Sequence, residues 1–419
     1  MKCRHCASEL RHVFVDLATA PPSNAYLSGA DLRKPEKYYP LRVLVCDSCW
    51  LVQTEDYASA AELFPDDYAY FSSTSSTWLR HSKHYVDSVA TRFSLGQQSC
   101  VVEVAANDGY LLQFVRERGI PCYGIEPTHQ TALAARAKGI EIIEEFFGER
   151  LARGLTKDGR QADLIVANNV LAHVPDINDF VTGFATLLKA DGAATFEFPH
   201  LLRLVAEGQF DTIYHEHYSY LSLTAVERIF SANGLRIFDV EELPMHGGSL
   251  RVFAQHRDAG RRPASPAVRN LLAQEAKAGV NTFAYYQGFQ AKADAVKNEL
   301  LAYLLNAKAK GLKVAGYGAA AKGNTLLNYA GVHGDLLAYV ADRAESKQGK
   351  FLPGSRIPIV GEAHLRNDRP DRVVILPWNL KEELMGQLSY IQDWGGRFVF
   401  AIPRLTETGE RKSVLNPGV

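Results

Sequence analysis

The strongest constraint on the fold is an alternation of short apolar runs with longer amphipathic segments, which occurs twice along the 419 residues. The first series runs from about residue 101 to 198 and the second from about 313 to 402. Strands that alternate with helices in this way predict two doubly wound, largely parallel sheets. The stretch between them, residues 266–310, is rich in Ala, Lys, Gln and Leu and predicts linking helices.

Two C-x-x-C pairs near the N-terminus, Cys3 with Cys6 and Cys46 with Cys49, predict a zinc site. Each pair presents two thiolates on a tight turn, and two such turns close a tetrahedral shell of four sulfur atoms. A redox-active pair is the alternative, but that motif normally opens a helix of a thioredoxin-like unit, and the pattern contains no such unit. A closed four-sulfur shell leaves no open position, so we expect the metal to be structural.

The charge balance and the hydropathy pattern exclude two broad classes of function. Lys and Arg total 46 and Asp and Glu total 47, which leaves no excess positive charge for a phosphate backbone. No apolar run approaches the roughly 18 residues that span a bilayer, and the N-terminus lacks the apolar core of a signal peptide. We therefore expect a cytoplasmic protein with neither nucleic acid nor membrane as its partner.

The segment 102–110, with the sequence VEVAANDGY, has the order strand, glycine-containing loop, helix. It resembles the first motif of class I methyltransferases that use S-adenosylmethionine. Glu103 is the acidic residue of the strand, and the loop contains Asn107, Asp108 and Gly109. Ala105 stands where that family usually has glycine. The resemblance implies that this loop binds the cofactor.

A second acidic residue, Glu126, ends the next predicted strand, where it could accept hydrogen bonds from both ribose hydroxyls. Two carboxylates and no evident phosphate cradle suit a cationic sulfonium cofactor better than a dinucleotide. Further cofactor contacts are expected from residues that follow the third and fourth strands: Phe146 and Phe147 beside the adenine, and Asn168 and Asn169. Core packing is the alternative for the two phenylalanines.

The segment 211–218, with the sequence DTIYHEHY, is dense in acid and base groups. Its order His215, Glu216, His217 lacks the H-E-x-x-H spacing of zinc proteases, which argues against a metal site. Histidine titrates near neutrality, and an adjacent carboxylate can stabilise its charged form. The segment therefore predicts a proton-transfer site.

Taken together, the motifs resemble those of the nucleotide-sugar C-methyltransferases that make branched deoxysugars. The shared features, in chain order, are the cysteine pairs, 103–109, Tyr214-x-Glu216-His217, the MHGGSLR segment at 245–251 and the GYGAAAK segment at 316–322. The resemblance covers essentially the whole chain. It implies an α/β fold with a zinc-binding lobe at 1–70, a class I methyltransferase (Rossmann-like) domain at 71–265, linking helices at 266–310 and a second Rossmann-like α/β domain for the nucleotide sugar at 311–419.

The resemblance also implies a reaction, in which S-adenosylmethionine methylates C-3 of a nucleotide-linked 4-keto-6-deoxysugar through an enolate. His217 would be the base and Glu216 its neighbour in the active site. Three further residues would lie near the sugar: Tyr214, His173 and Tyr70. Because His215 lies within the same segment, the choice of base between His215 and His217 stays open.

The second series of strands opens with Gly316-x-Gly318, an incomplete dinucleotide motif that precedes a helix containing Lys322. We expect this helix N-terminus to receive the diphosphate, with Trp378 beside it and with His246 and Gly247 against the sugar. A vestigial Rossmann turn and an NAD site are the alternatives for this region. Methylation of oxygen or nitrogen and a non-catalytic binding protein stay open as alternative functions, and the resemblance implies a monomer.

Overall fold

The structure is a computed structural model that describes residues 1–57 and 71–408, so Tyr70 lies outside the described residues. The chain divides into two compact units. The first unit comprises Met1–Phe14, Val43–Arg203 and His217–Gln287, and the second comprises Val15–Arg42, Leu204–Glu216 and Gly288–Val419. The division falls within the acid and base segment, between Glu216 and His217. No helix in the described ranges combines the length and the apolar character needed to cross a membrane.

The described secondary structure follows the alternation expected from the sequence. The strands are β1 His12–Ala20, β2 Tyr39–Val45, β3 Val52–Thr54, β4 Val101–Val104, β5 Cys122–Ile125, β6 Glu141–Ile143, β7 Ala162–Asn168, β8 Leu188–Pro199, β9 Ser219–Tyr220, β10 Leu235–Leu243, β11 Ser249–His256, β12 Val314–Tyr317, β13 Val340–Ala341, β14 Ile359–Val360, β15 Arg372–Ile375, β16 Arg397–Phe400 and β17 Thr406–Thr408. The helices are α1 Ser76–Arg92, α2 Leu112–Glu117, α3 His129–Ala137, α4 Glu149–Lys157, α5 Ile177–Leu187, α6 Leu201–Glu207, α7 Leu223–Ala232, α8 Pro266–Ala278, α9 Phe289–Ala309, α10 Ala321–Ala330, α11 Glu362–Asp368 and α12 Lys381–Gln387.

The main sheet of the first unit has seven strands in the order β10-β11-β8-β7-β4-β5-β6. The five strands from β8 to β6 are parallel, whereas β11 runs antiparallel to β8 and to β10. All four residues of β4 are buried, as expected for a strand covered on both faces. The strand order reverses at β4, which has β5 on one side and β7 on the other. Ligands of such sheets bind beyond the carboxyl ends of these strands.

A small antiparallel sheet of the first unit connects the cysteine region to the acid and base segment. Strand β2 pairs with β3 through Val43–Thr54 and the two following pairs. Strand β3 pairs with β9 through Val52–Tyr220 and Gln53–Ser219. Since β9 begins two residues after His217, this sheet fixes where that segment leaves the second cysteine turn.

The second unit contains a six-stranded sheet in the order β14-β13-β12-β15-β16-β17. The first five strands are parallel and only β17, among those described, runs antiparallel to its neighbour. The prediction of a second Rossmann-like sheet is confirmed. Its order reverses at β12, so the carboxyl ends of β12 and β15 form the crevice where such sheets bind ligands. The predicted linking helices are α8, in the first unit, and α9, in the second.

Candidate functional site

The four paired cysteines lie close enough together to hold one metal ion. All four sulfur atoms are within 4.8 Å of one another, and the Cys3–Cys49 and Cys6–Cys46 sulfur atoms are 3.5 Å apart. A tetrahedral zinc site with Zn–S bonds of about 2.3 Å has sulfur atoms about 3.8 Å apart, so the cluster fits zinc. Hydrogen bonds from Cys46 and Cys49 lower the pKa of Cys3 to about 3, whereas the bond to Cys3 raises the pKa of Cys49. Only a bound cation allows all four to be thiolates at once.

The loop after β4 has the backbone conformation of the cofactor loop that the sequence predicted. Ala105, Asn107 and Gly109 all have positive φ, at 59°, 49° and 75°. A Cβ atom at Gly109 would lie 2.4 Å from Cδ1 of Ile140, so only glycine fits there. Ala105 adopts the left-handed conformation that explains the glycine usual at this position. Residues held in such conformations cluster at ligand sites.

Replacing Ala105 by glycine is expected to stabilise the protein by about 1 kcal/mol, because the left-handed conformation costs an L residue roughly that much. Urea unfolding of the wild type and Ala105→Gly measures the difference. Ala106→Gly, at a fully buried neighbour without positive φ, should instead destabilise the protein and serves as the control. A less stable Ala105→Gly variant would show that the methyl group contributes more than the strain costs.

Glu126 ends β5 and fixes the shape of this loop. Its carboxylate accepts hydrogen bonds from the backbone N–H groups of Asn107 and Thr128, both at 2.9 Å. Each carboxylate oxygen can accept a second hydrogen bond, so the ribose hydroxyls still have acceptors here. On the other side of the loop, Asp108 is buried and accepts a hydrogen bond from Ser73. The loop is therefore tied at both ends before any ligand binds.

The charge of this sheet edge suits a cationic cofactor. Burial raises the pKa of Glu103 well above its usual value, and the nearby charges of Asp108 and Glu126 raise it further. These shifts show that the edge carries a surplus of negative charge in a poorly solvated place. The positive sulfonium of S-adenosylmethionine would relieve that surplus, so the residues present fit this cofactor.

The aromatic and amide residues expected beside the cofactor have different surroundings. Phe146 is 59% exposed, whereas Phe147 makes edge contacts with Phe180 and Phe184, with ring centroids 5.7 and 5.2 Å apart. Of this pair, the exposed Phe146 is thus the ring available to cover an adenine. The amide pair Asn168 and Asn169 follows at the carboxyl end of β7. Asn168 is buried, and Asn169 has a positive φ of 54°.

A buried charge cluster at the end of β8 was not predicted from the sequence. Glu197 is fully buried and lies opposite Arg251 in the register of β8 and β11, with an oxygen 2.8 Å from Nη2 of Arg251. Nε2 of His81 lies 2.9 Å from the same carboxylate. Trp78 stacks on His81 and lies 5.4 Å from the ring of His246. One charged residue within each of two apolar strands was the available signal, because buried charges need partners.

The predicted substrate residue His246 lies in the loop before β11, in the first unit. Its φ is 55°, and the following Gly247 has a φ of 91°. Nε2 of His246 is 3.3 Å from Nδ2 of Asn169. The two residues therefore line one edge of the sheet, beyond the carboxyl ends of β7 and β8.

Two histidines from distant parts of the sequence meet in the first unit. The rings of His173 and His217 have centroids 4.6 Å apart and planes inclined at 69°. His173 closes the short turn Leu171–His173 that follows β7, and the N–H of Tyr218 donates to the carbonyl of Ala172 at 2.8 Å. This pair lies beyond the carboxyl end of β7, where ligands of such sheets bind.

The preceding residues of the segment belong to the second unit and have separate surroundings. Tyr214 is half-buried. Glu216 is buried and accepts a hydrogen bond from Asn24 at 3.2 Å, and burial raises its pKa to about 7. Nε2 of His215 lies 3.2 Å from the carbonyl of Pro40, and burial lowers its pKa. His215 is thus held in a packing environment.

Replacing Glu216 by glutamine is expected to remove a pH dependence of stability. The pKa of this carboxyl rises from 4.5 to about 7 on folding, so the folded state holds its proton more tightly and stability falls as pH rises through this range. The loss amounts to about 3 kcal/mol for a fully buried group. Glu216→Gln should therefore be the more stable protein at pH 8, and the difference should nearly vanish at pH 4.5.

Urea unfolding at the two pH values measures this effect. Glu242→Gln is the control, because Glu242 is exposed and should change stability little at either pH. Wild type and Glu216→Gln of equal stability at pH 8 would show that Glu216 ionises in the folded protein without cost.

The predicted substrate residues Gly318, Lys322 and Trp378 meet at the crevice of the second unit. Gly318 has a φ of 86°, and a Cβ there would lie 2.5 Å from Cδ of Pro377. Nζ of Lys322 donates to Asn379 at 2.7 Å and lies 4.8 Å from the ring centroid of Trp378. The Trp378 indole N–H donates to the buried carboxylate of Asp211 at 2.7 Å, and burial raises the pKa of Asp211 to about 6.

The crevice loop of the second unit is held as the cofactor loop of the first unit is. Asp342 directly follows β13 and accepts the backbone N–H groups of Ala319 at 2.7 Å and Ala344 at 2.8 Å. Nζ of Lys347 and the hydroxyl of Tyr26 both donate to the carbonyl of Ala319. In each unit, an acidic residue at the end of the second strand thus binds the loop that follows the first.

Comparisons with known proteins identify all three parts of the chain. Family profiles match a zinc binding domain at residues 3–64, a methyltransferase domain at 78–240 and a C-methyltransferase C-terminal domain at 244–403. The C-methyltransferase NovU from Streptomyces niveus is 33% identical over 402 residues, which cover 96% of this chain and 95% of NovU.

Solved structures match the methyltransferase part alone. Magnesium protoporphyrin IX methyltransferase from Synechocystis, with bound S-adenosylmethionine, is 16% identical, with a TM-score of 0.32 over 42% of this chain and 80% of its own. An S-adenosylmethionine-dependent methyltransferase from Clostridium acetobutylicum is 11% identical, with a TM-score of 0.35 over 42% of this chain and 92% of its own.

The relationship to NovU extends over nearly the full length of both proteins, and it agrees with the cysteine cluster and the cofactor loop described above. The protein is thus an enzyme that uses S-adenosylmethionine and carries a zinc-binding lobe. The chain belongs to the family of C-methyltransferases that includes NovU.

Proposed function

We propose that this enzyme methylates C-3 of a nucleotide-linked 4-keto-6-deoxysugar in the biosynthesis of a branched sugar. The observation that carries the proposal is the contact of His173 with His217, whose ring centroids are 4.6 Å apart beyond the carboxyl end of β7. Methyl transfer to carbon needs a base that can produce a carbanion equivalent. A neutral imidazole at this edge of the cofactor-binding sheet supplies such a base.

The chemistry of the acceptor follows from the requirement for a carbanion. A C–H bond of a sugar becomes acidic enough for a histidine base only beside a carbonyl group, which stores the negative charge as an enolate. His217 takes the C-3 proton onto its imidazole, and the ketone at C-4 accepts the electron pair. When bound, S-adenosylmethionine supplies the electrophilic methyl group. His173 lies against the ring that becomes charged, and the proton then passes to solvent.

The remaining assignments rest on the resemblance described above and on the residues of each unit. Tyr214, Glu216 and Tyr70 would contact or flank the sugar, and His246 with Gly247 would form a loop against it. In the second unit, the N-terminus of α10 and Lys322 would bind the diphosphate, because backbone N–H groups and a cation favour an anion. The division into segments 1–70, 71–265, 266–310 and 311–419 is proposed on the same basis. A cytoplasmic monomer acting on a small molecule is the expected form.

Mass spectrometry with a panel of acceptors tests this proposal. The protein is incubated with S-adenosylmethionine and with TDP-, GDP- and CDP-linked 4-keto-6-deoxysugars, each beside its 4-hydroxy counterpart. We expect a product heavier by one methylene group from a keto sugar only, and that product identifies the nucleotide. In D2O without S-adenosylmethionine, the same keto sugar should exchange its C-3 hydrogen for deuterium.

Each other outcome points to a different function. Methylation of the 4-hydroxy sugars would indicate transfer to oxygen, because these acceptors have no acidic carbon. Binding of the sugars, measured by thermal shift, with no turnover would indicate a non-catalytic binding protein. No product and no binding, from a protein that binds S-adenosylmethionine, would overturn the substrate class.

A further inference from the structure

Arg4 lies between the two cysteines of the first C-x-x-C pair, yet its side chain points into the first unit and is only 5% exposed. Its guanidinium donates to the carbonyl of Pro175 at 2.8 Å and to the carbonyl of Thr54 at 3.0 Å. It also pairs with the carboxylate of Asp56 at 2.8 Å. One side chain of the zinc-binding turn therefore joins strand β3 to the segment that follows His173.

The same guanidinium contacts the segment that follows His217. It lies over the ring of Tyr218, 5.3 Å from the centroid. The hydroxyl of Thr54 donates to the carbonyl of His217 at 3.3 Å, and the N–H of Thr54 donates to the carbonyl of Tyr218 at 3.1 Å. Both segments of the histidine pair are thus bound to Arg4 or to the strand that Arg4 holds.

The position of Arg4 is in turn set by the cysteine cluster. The backbone N–H of Arg4 donates to Oε1 of Gln53 at 2.9 Å, and Nε2 of Gln53 donates to the sulfur of Cys3 at 3.2 Å. Gln53 is fully buried and pairs with Ser219 across β3 and β9. A continuous set of hydrogen bonds therefore runs from a metal ligand to the strand that follows His217.

We propose that Arg4 is a positioning residue that sets the placement of His173 against His217, so that the zinc-binding turn serves the proton-transfer step. The inference rests on the proposed function, because it assigns that step to this pair. The fork of the guanidinium is the required feature, since it reaches two carbonyl groups and one carboxylate at fixed angles. Lysine offers a single ammonium group and cannot bind all three in the same geometry.

The test compares Arg4→Met and Arg4→Lys with Arg11→Met, whose arginine lies in the same lobe and is exposed. For each protein we would measure bound zinc, affinity for S-adenosylmethionine, kcat for the keto sugar, and the ring cross-peaks of isotope-labelled histidines by NMR. A His217→Asn variant assigns one cross-peak of the pair and a His173→Asn variant the other. The exposed His129 provides a reference signal.

We expect both Arg4 variants to retain zinc and cofactor affinity while kcat falls about a hundredfold in Arg4→Met, because misplacing a reacting group by about 1 Å has an effect of that size. The cross-peaks of His173 and His217 should shift and that of His129 should not. Arg11→Met should match the wild type in every measurement.

Two results would overturn the inference. One is an Arg4→Met protein with zinc bound, kcat within twofold of the wild type and unmoved cross-peaks for the histidine pair. The other is loss of zinc from both Arg4 variants, which would assign Arg4 to the folding of the lobe. If the wild type converts no keto sugar, the proposed function fails, but the NMR comparison still decides whether Arg4 positions the pair.

Discussion

His217→Asn is expected to lower kcat for methyl transfer about a thousandfold, because a positioned general base contributes roughly 10²–10⁴-fold. The affinity for S-adenosylmethionine should stay within twofold of the wild type, since the cofactor loop and Glu126 lie on β4 and β5. Asparagine keeps a polar side chain of similar size but cannot accept a proton near neutral pH. Steady-state kinetics with a keto sugar, together with cofactor titration, measure both quantities.

The neighbouring His215 offers a control for this substitution. Its ring lies near the carbonyl of Pro40 and against Tyr39, with centroids 5.9 Å apart, and burial lowers its pKa. His215→Asn should therefore keep kcat within threefold per folded molecule, although it will reduce stability. If instead His215→Asn abolished methylation and His217→Asn did not, the base would be His215.

Cys46→Ser is expected to remove zinc and to unfold much of the lobe around it. Metal binding to four thiolates supplies roughly 10–16 kcal/mol to the folding of small zinc modules, and a serine hydroxyl does not replace a thiolate ligand. Since Cys46 directly follows β2, whose pairing with β3 continues into β9, the loss should spread to the segment around His217. We expect a large fall in melting temperature, measured beside zinc content.

Cys100→Ser is the matched control, because Cys100 is a half-buried thiol outside the metal cluster. This variant should keep a full complement of zinc and a melting temperature close to that of the wild type. A Cys46→Ser protein with undiminished zinc would show that Cys46 is not a ligand. A disulfide between Cys3 and Cys6 in the purified wild type would support the redox alternative.

The order of strands and helices could be predicted because covered parallel strands leave a strong apolar pattern. Strand β13 shows where the pattern falls short, since its ladder covers only 340–341, whereas the apolar run began at 337. Glu275 shows another limit. It lies in α8, within the predicted linking helices, yet it is fully buried and accepts hydrogen bonds from the backbone of Leu223 and Thr224. Partners so distant in sequence leave no local signal.

Residues of the candidate site divide in the same way. The cysteine cluster and the loop containing Gly109 could be predicted, because a turn or a positive φ demands particular residue types at fixed spacing. The contact of His81 with Glu197 and Arg251 could not, because it depends on the register of β11 against β8 and on the packing of α1. Arg4 was missed because its neighbours in the sequence are metal ligands, whereas its role depends on the direction of one side chain.

The acidic residues Glu126 and Asp342 have a thermodynamic consequence for ligand binding. Each holds the backbone of a loop that would otherwise have to be ordered by its ligand. Ordering one residue costs about 1–2 kcal/mol in conformational entropy, so a loop that is already ordered lets nearly all of the contact energy appear as affinity. Amide hydrogen exchange at Asn107 and Ala319 should therefore be slow even without ligand, and saturation with ligand should change it little.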